Sequence, residues 1–192
     1  MAENKTTAQE SVFQSMIFPV IVLVAICVVC SALLAVLNQQ TAPIIEENTR
    51  KETMAAYLAV LPEGTDEGSL TELADLTTNG VEGAVQTASG EVAVKAAAGG
   101  YGGKPVTVYV AFDSNGTITA TTVDASTQTA GIGSKTGDES FYGGFTGWSA
   151  SEQVSAGAPV DAIAGATVSS KAAFNAVNAA IDCYNNEIKG VA

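Results

Sequence analysis

Hydrophobic residues are concentrated in one long run near the N-terminus, from Met16 to Leu37, which contains no charged residue. As an α-helix this run would span about 33 Å at ~1.5 Å per residue, enough to cross the hydrocarbon core of a bilayer. It is longer than the apolar core of a signal peptide, no basic cluster precedes it, and no A-x-A cleavage site follows it. The pattern predicts one retained transmembrane helix over 16–37, preceded by a leader over 1–15.

After this segment, apolar residues recur at helical spacing and predict a juxtamembrane amphipathic helix. The sequence "TAP" at 41–43 is typical of a helix cap and first turn, and "LPEG" at 61–64 predicts the end of the helix. The stretch that continues to about Gly90 is polar and weakly patterned, and it predicts no particular element. We therefore treat 38–90 as a juxtamembrane helix and a connecting region.

The clearest strand pattern lies in "KPVTVYVAFDSNGTITATTV", where apolar and polar residues alternate from Val106 to Phe112. Asn115-Gly116 supplies a turn, so this stretch predicts a β-hairpin. From about Ser170 to Ile188, apolar residues recur on one helical face and predict a C-terminal helix. Strands followed by a helix, without a repeating βαβ pattern, predict a single α+β domain over 91–192, with a largely antiparallel sheet and a C-terminal helix.

Composition removes several classes of function. The chain has 20 acidic and 8 basic residues, a formal net charge of −12, and no histidine. This charge excludes a phosphate-backbone binder, so we expect no nucleic-acid partner. The lack of histidine excludes Ser–His and Cys–His catalysis within the chain and removes the commonest metal ligand, and we expect no metal site. Cys27-x-x-Cys30 has the spacing of a redox or metal pair, but its apolar surroundings favour two small packing residues.

Three stretches contain more glycine than turns require: "GGYGGKP" at 99–105, "STQTAGIGSK" at 126–135 and "VDAIAGATVSS" at 160–170. Glycine allows a backbone to approach a ligand closely, and a helix N-terminus favours a phosphate. With Lys171 as the nearby basic residue, a singly charged phosphate ester suits the last stretch better than a triphosphate. No G-x-x-x-x-G-K-[ST] or G-x-G-x-x-G motif occurs. Taken singly, each stretch is also consistent with a flexible loop, a turn or a serine-capped helix.

In this order, the three stretches resemble the FMN-binding domain family. With the N-terminal helix included, the whole chain resembles the RnfG proteins of Rnf electron-transport complexes. The most specific part, "DAIAGAT" at 161–167, is similar to the sequence that flavin transferases recognise. In the family, the threonine of this motif carries FMN through a phosphoester bond, which implies that Thr167 is the attachment site. The chain departs from the family at Ala164, usually serine, and at 128–131, where "QTAG" replaces the usual "ETPG".

The resemblance implies a flavin site formed by all three stretches. Gly165 and Ala166 would leave room for the phosphate, and the hydroxyls of Ser169 and Ser170 would join the first N–H groups of the helix in binding its oxygens. The full implied set of cofactor-binding residues is Tyr101, Gly102, Gly103, Gln128, Thr129, Gly131, Gly133, Asp161, Ala164, Gly165, Ala166, Thr167, Ser169, Ser170 and Lys171.

The implied function is that of an electron carrier rather than a catalyst acting alone. The resemblance implies a single-pass protein of the inner or plasma membrane, with its flavin domain on the extracytoplasmic side, in an ion-translocating ferredoxin:NAD⁺ oxidoreductase. Its partners would be the other proteins of the Rnf complex, membrane lipid and a flavin transferase, and the phosphoester would make the chain a phosphoprotein. Two alternatives remain open: the related FMN-carrying subunit of a sodium-pumping NADH:quinone oxidoreductase, and a membrane-tethered binding or scaffold domain with a vestigial flavin motif.

Overall fold

The computed structural model describes residues 17–189, so the predicted leader over 1–15 lies outside the described residues. The chain divides between Lys51 and Glu52 into two compact units. Helix α1, Phe18–Val60, provides the described part of the first unit and the beginning of the second. Within the described residues it is the one helix long and apolar enough to cross a membrane, and the mean hydropathy of its most apolar 18-residue window is 3.3.

Helix α1 differs from the prediction of two successive helices, because it continues through 41–43 without a break. The Thr41 hydroxyl does not cap a new helix. It donates to the carbonyl of Leu37, one turn earlier, at 3.0 Å. Pro43 lies inside the helix and lacks the N–H that would bond to the carbonyl four residues before it, so the helix forgoes one hydrogen bond there.

The second unit is built on a five-stranded antiparallel sheet in which each strand pairs with the next along the chain. The strands are β1 (Thr71–Leu73), β2 (Val81–Gln86), β3 (Val92–Gly99), β4 (Pro105–Phe112) and β5 (Ile118–Asp124). The first two fall in the stretch whose pattern predicted no element. Their alternation is weak because β1 is only three residues long and β2 contains a bulge between Val81 and Gly83.

The predicted hairpin is confirmed as β4 and β5, with Phe112 opposite Ile118. Its turn is stabilised by the carboxylate of Asp113, whose Oδ1 accepts hydrogen bonds from the backbone N–H groups of Asn115 at 2.9 Å and Thr117 at 2.8 Å. These bonds, the one from Thr117 first, hold the pKa of Asp113 below its usual value.

The predicted C-terminal helix is also confirmed, as α3 (Thr167–Cys183), which continues as a π-helical turn over Tyr184–Ile188. A short helix α2 (Glu139–Tyr142) and a two-residue parallel pair, β6 (Ser155–Ala156) with β7 (Pro159–Val160), occupy the connection between β5 and α3.

The core lies on both faces of the sheet. One face buries every second residue of β4 against α3; the residues at the centre of this layer are Val106, Val108, Val110, Phe112, Phe174, Val177 and Ile181. The opposite face is covered by the end of α1, where Tyr57 meets Tyr109 edge to face with ring centroids 5.4 Å apart. The observed fold therefore agrees with the predicted α+β class, an apolar N-terminal helix followed by an antiparallel sheet and a C-terminal helix.

The turn between β4 and β5 generates a stability prediction. Gly116 and Gly90 both have positive φ, +82° and +92°, but a Cβ on Gly116 would lie 2.8 Å from the ring of Tyr184, whereas a Cβ on Gly90 would meet nothing within 4 Å. We expect Gly90→Ala to lower the free energy of unfolding by about 1 kcal/mol through backbone strain. Gly116→Ala should lower it by a further ~1–3 kcal/mol through overpacking.

Urea unfolding of the full chain in detergent micelles, followed by the fluorescence of Trp148, the one tryptophan in the sequence, measures the difference. Tyr184 stacks on Phe112 at 4.7 Å and donates its hydroxyl to the carbonyl of Asp113, so its ring has little freedom to move away. Equal losses in the two variants would contradict this account of the turn.

Candidate functional site

The three glycine-rich stretches, far apart in sequence, meet at the beginning of α3. The turn over Tyr101–Gly103 joins β3 to β4, the second stretch follows β5, and the third leads into α3. Between them lies a cleft of about 510 Å³, which we call the α3 cleft. Its lining residues are Tyr101, Thr129, Ile132, Gly133, Gly165, Ala166, Thr167, Val168 and Ser169. The lining contains no carboxylate, amine or imidazole.

Helix α3 begins without a side-chain cap. Ala166 is the N-cap residue, and the first backbone bond runs from the N–H of Ser170 to the carbonyl of Ala166 at 2.9 Å. Within residues 17–189, the N–H groups of Thr167, Val168 and Ser169 have no acceptor. The start of α3 therefore presents the unsatisfied donors and the partial positive charge that a helix N-terminus offers to an anion.

Thr167 is the first residue of α3, three residues earlier than the helix start predicted near Ser170. Its side chain is exposed, and its hydroxyl has no hydrogen-bond partner in the described part of the chain. Gly165, two residues earlier, has φ of +79° and open space where a Cβ would be. The Thr167 hydroxyl is thus accessible from solvent, and no side chain at Gly165 crowds the chain that leads into the helix.

Neither serine of the first turn caps the helix, contrary to the capped-helix interpretation. Ser169, 2% exposed, donates its hydroxyl to Oε1 of Gln128 at 2.8 Å. Ser170 is fully buried, and its Oγ accepts a hydrogen bond from the N–H of Ile163 at 3.0 Å. Both hydroxyls are therefore engaged within the protein, whereas the backbone N–H groups of Thr167, Val168 and Ser169 remain available at the cleft.

Gln128 lies behind the lining of the cleft and connects its three segments. The side chain is 6% exposed. Its Oε1 also accepts the N–H of Tyr101 at 3.0 Å, and its Nε2 donates to the carbonyl of Lys104 at 3.0 Å and to the hydroxyl of Thr127 at 3.1 Å. Gln128 therefore contacts protein groups on every side of its amide.

Large exposed hydrophobic side chains in the described part of the second unit occur only at this cleft. They are Tyr101, Ile132 and Val168, with exposed fractions of 63%, 49% and 51%. We call these three residues the apolar rim. Each comes from a different glycine-rich stretch, so the rim forms only when the three segments come together.

Ile132 and Val168 were missed by the sequence prediction, although a signal was present for each. Ile132 is an apolar residue between Gly131 and Gly133 in an otherwise polar loop. Val168 precedes Val177 by nine residues, which at about 100° per residue places it on the opposite side of α3 from the buried face. An apolar residue out of phase with the core is a candidate for contact with something other than the core.

The other predicted residues lie outside the lining of the cleft. Gly102, Gly103 and Gly131 have φ of +69°, +73° and +74° and occupy exposed turns beside it. Ala164 and Lys171 are exposed near the start of α3. Asp161 lines a different concavity, of about 530 Å³, whose lining also includes Lys135 and Asp138.

The chain matches two family models. The model of the FMN-binding domain matches residues 100–182, which contain all three segments of the α3 cleft. The model of the RnfG N-terminal region matches residues 2–60, which contain the apolar part of α1. No curated protein matches the chain significantly. Together the two matches support an RnfG-like protein, in which an RnfG N-terminal region precedes an FMN-binding domain.

Proposed function

We propose that this Rnf-type flavoprotein electron carrier holds its FMN covalently, through a phosphoester to Oγ1 of Thr167. The observation that carries the proposal is the start of α3, where an accessible threonine hydroxyl lies beside three backbone N–H groups that have no acceptor within residues 17–189. Forming the ester from free FMN is a net condensation in which Thr167 loses its hydroxyl proton and the phosphate loses a hydroxyl group as water. A flavin transferase would instead transfer FMN from an activated phosphate anhydride, whose leaving group departs with the threonine proton in place of water, and the product is the same ester.

The phosphate subsite fits this group in size and charge. An ester of FMN phosphate is a diester with one negative charge, and a helix N-terminus contributes about half a positive charge together with its N–H donors. The lining of the cleft contains no carboxylate to repel the phosphate. The open space at Gly165 leaves room for the phosphate and the ribityl chain.

The remainder of the cleft fits a flat, largely apolar ring. The volume of the whole α3 cleft, about 510 Å³, is within the usual range for a cofactor site. The apolar rim offers one aromatic and two aliphatic side chains, and covering them would remove apolar surface from water. When bound, FMN supplies one- and two-electron redox chemistry. Apart from the phenol of Tyr101, no residue that lines the cleft has an ionisable group that could act as a general acid or base. The role of the lining residues is therefore to bind and orient the FMN.

The role in the cell that we propose is electron transfer inside an ion-translocating ferredoxin:NAD⁺ oxidoreductase. An RnfG-like protein belongs in a complex with the other proteins of the Rnf assembly. The match of residues 2–60 to the RnfG N-terminal region favours this role over that of the FMN-carrying subunit of a sodium-pumping NADH:quinone oxidoreductase. The scaffold alternative differs in a measurable way, since a vestigial motif would carry no covalent flavin.

The topology that we propose places the flavin domain outside the cytoplasm. One N-terminal apolar helix and the RnfG match indicate a single-pass membrane protein. The family resemblance supports this side of the membrane. The flanking positive charges favour neither side, since Lys5 lies on one side and Arg50 and Lys51 lie on the other.

Attachment of FMN to Thr167 is tested by mass spectrometry of the full chain produced together with a flavin transferase. Trypsin cleaves after Lys135 and Lys171, so Thr167 falls in peptide 136–171 and Thr129 falls in another peptide. We expect peptide 136–171 to be heavier by FMN less one water. Thr167→Ala should abolish covalent flavin because the ester oxygen is lost, and Thr167→Ser should retain some because a hydroxyl remains.

Thr129→Ala is the matched control, since Thr129 is also an exposed threonine in the lining of the α3 cleft. It should keep the flavin on peptide 136–171. Covalent flavin that persists in Thr167→Ala, or that is found on another peptide, would overturn the attachment site. Wild-type protein without any covalent flavin would favour the scaffold alternative.

The topology is tested by labelling an introduced cysteine with a membrane-impermeant maleimide. Glu63 is exposed, so Glu63→Cys should react in intact cells if the domain is extracytoplasmic. Wild-type protein is the background control. Cys183 is fully buried, and burial raises its pKa to about 11, so its thiol stays protonated and shielded at neutral pH. In the reciprocal control Thr6→Cys should react only after lysis. The opposite pattern of labelling would place the domain in the cytoplasm.

A further inference from the structure

The orientation of the Gln128 amide is determined by its neighbours. Its Oε1 faces two donors, the N–H of Tyr101 and the hydroxyl of Ser169, at 3.0 and 2.8 Å. Its Nε2 faces two carbonyl oxygens, those of Lys104 at 3.0 Å and Pro105 at 3.4 Å, and the hydroxyl of Thr127 at 3.1 Å, which itself donates to the carbonyl of Pro105. Exchanging the oxygen and the nitrogen would set donor against donor and acceptor against acceptor. The side chain therefore serves as acceptor on one side and donor on the other.

Two glycines of the glycine-rich stretches are required by packing around this side chain. A Cβ on Gly100 would lie 2.6 Å from Oε1 of Gln128. A Cβ on Gly133 would lie 3.0 Å from Cβ of Gln128 and 2.5 Å from Oγ of Ser169. Both distances to the oxygens are shorter than any comfortable carbon–oxygen contact. At these two positions, glycine makes room for Gln128 and its bonds.

We propose that Gln128 is the positioning residue of the α3 cleft, which joins the three segments in the flavin-free protein without itself touching the flavin. The inference rests on the proposed function, since it concerns the site where FMN would be held. The bonds of Gln128 to the backbone of Tyr101 and to Ser169 set the distance between the β3–β4 turn and the start of α3. Tyr101 lies in that turn and Val168 lies at the start of α3, and both belong to the apolar rim.

A carboxylate at position 128 would satisfy only half of this arrangement. One of its oxygens could accept the bonds of Tyr101 and Ser169, but the other would face the carbonyl of Lys104, which the amide now meets as a donor. Only a protonated carboxyl could donate there. Burial and the two facing carbonyls would therefore raise the pKa of a carboxyl introduced by Gln128→Glu.

The other charged or titratable side chains on the packed segments are separate from this network. The side chains of Tyr101, Lys104, Lys135, Asp161 and Lys171 are all exposed, and none of them hydrogen-bonds to Gln128. A pH-dependent change at the cleft that appears only with Gln128→Glu would therefore report on the introduced carboxyl. Because its folded-state pKa is raised, the intact cleft should be present at low pH and lost as pH rises through that value.

The first test is amide hydrogen exchange of the full chain in detergent micelles, produced without a flavin transferase. We expect Gln128→Leu to raise exchange at the hydrogen-bonded amides of 100–104, 129–135 and 163–166 together, by about tenfold or more, because buried hydrogen-bonding groups lose their partners. Gln153→Leu is the matched control, since Gln153 is an exposed glutamine whose Nε2 donates to Asp182 at 2.8 Å. It should leave these segments unchanged. Faster exchange in the loop of Gln128 alone, or in no segment, would overturn the proposal.

The second test compares Gln128→Glu with wild type at pH 5 and pH 8. Because amide exchange is itself base-catalysed, each rate is compared with that of wild type at the same pH. We expect the ratio of Gln128→Glu to wild type in the three segments to be about one at pH 5 and about tenfold or more at pH 8. This rescue by a protonated carboxyl separates positioning by hydrogen bonds from simple filling of space, and it decides the question even if Gln128→Leu fails to fold. The same ratio of Gln128→Glu to wild type at both pH values, whether near one or large, would contradict the donor role.

The outcome is independent of where the flavin is attached, because both tests use flavin-free protein. Loosening of all three segments with no flavin on peptide 136–171 would support the positioning role and overturn the proposed function. Flavin on Thr167, together with unchanged exchange in the three segments of Gln128→Leu, would support the proposed function and overturn the positioning role. With flavin attached, the visible absorption spectrum of Gln128→Glu should shift between pH 5 and pH 8, whereas that of wild type should not.

Discussion

One buried amide, that of Gln128, joins the three segments that form the α3 cleft. Gln128 bonds to Tyr101, 27 residues earlier, and to Ser169, 41 residues later. Within residues 17–189, the bond to Ser169 is the one side-chain hydrogen bond between the start of α3 and the other two glycine-rich stretches. Packing of α3 against β3 and β4 already brings this helix close to the strands that the turn joins. Gln128, with a donor and an acceptor on one side chain, adds a direct polar link between the segments, and it excludes any larger residue at Gly100 and Gly133.

The fold separates stability from chemistry. The sheet is buried on both faces, by α3 on one and by the end of α1 on the other, so its residues serve packing. The proposed flavin site uses turns and a helix N-terminus, where backbone N–H groups are free and side chains can remain exposed. Even the serines of the motif follow this division, since their hydroxyls hold the segments together. The phosphate of a flavin would then depend on the backbone.

Sequence patterns predicted the elements whose signals are local. The β4–β5 hairpin and α3 have clear periodicity, and the motif around Thr167 is a contiguous string of residues. Features that depend on contacts between distant residues were not predictable: β1 and β2, whose pattern is broken by a bulge, and the burial of Ser169 against Gln128. The unbroken course of α1 was missed for a local reason, because Pro43 is typical of a helix start but here lies inside the helix. Ile132 and Val168 each carried a signal in the sequence, but that the two residues belong to one apolar rim becomes visible only when their neighbours in space are known.

The small size of the apolar rim has a consequence for how a tethered flavin would behave. Three partly exposed side chains offer little surface, so contact with the rim alone would hold a free flavin weakly. An ester at Thr167 would make that contact intramolecular, with an effective concentration far above that of any free cofactor in solution. Weak contact would then be sufficient for occupancy, and the ring would remain able to leave the rim and return. A tether of this kind keeps the carrier loaded while allowing its redox-active end to face first a donor and then an acceptor.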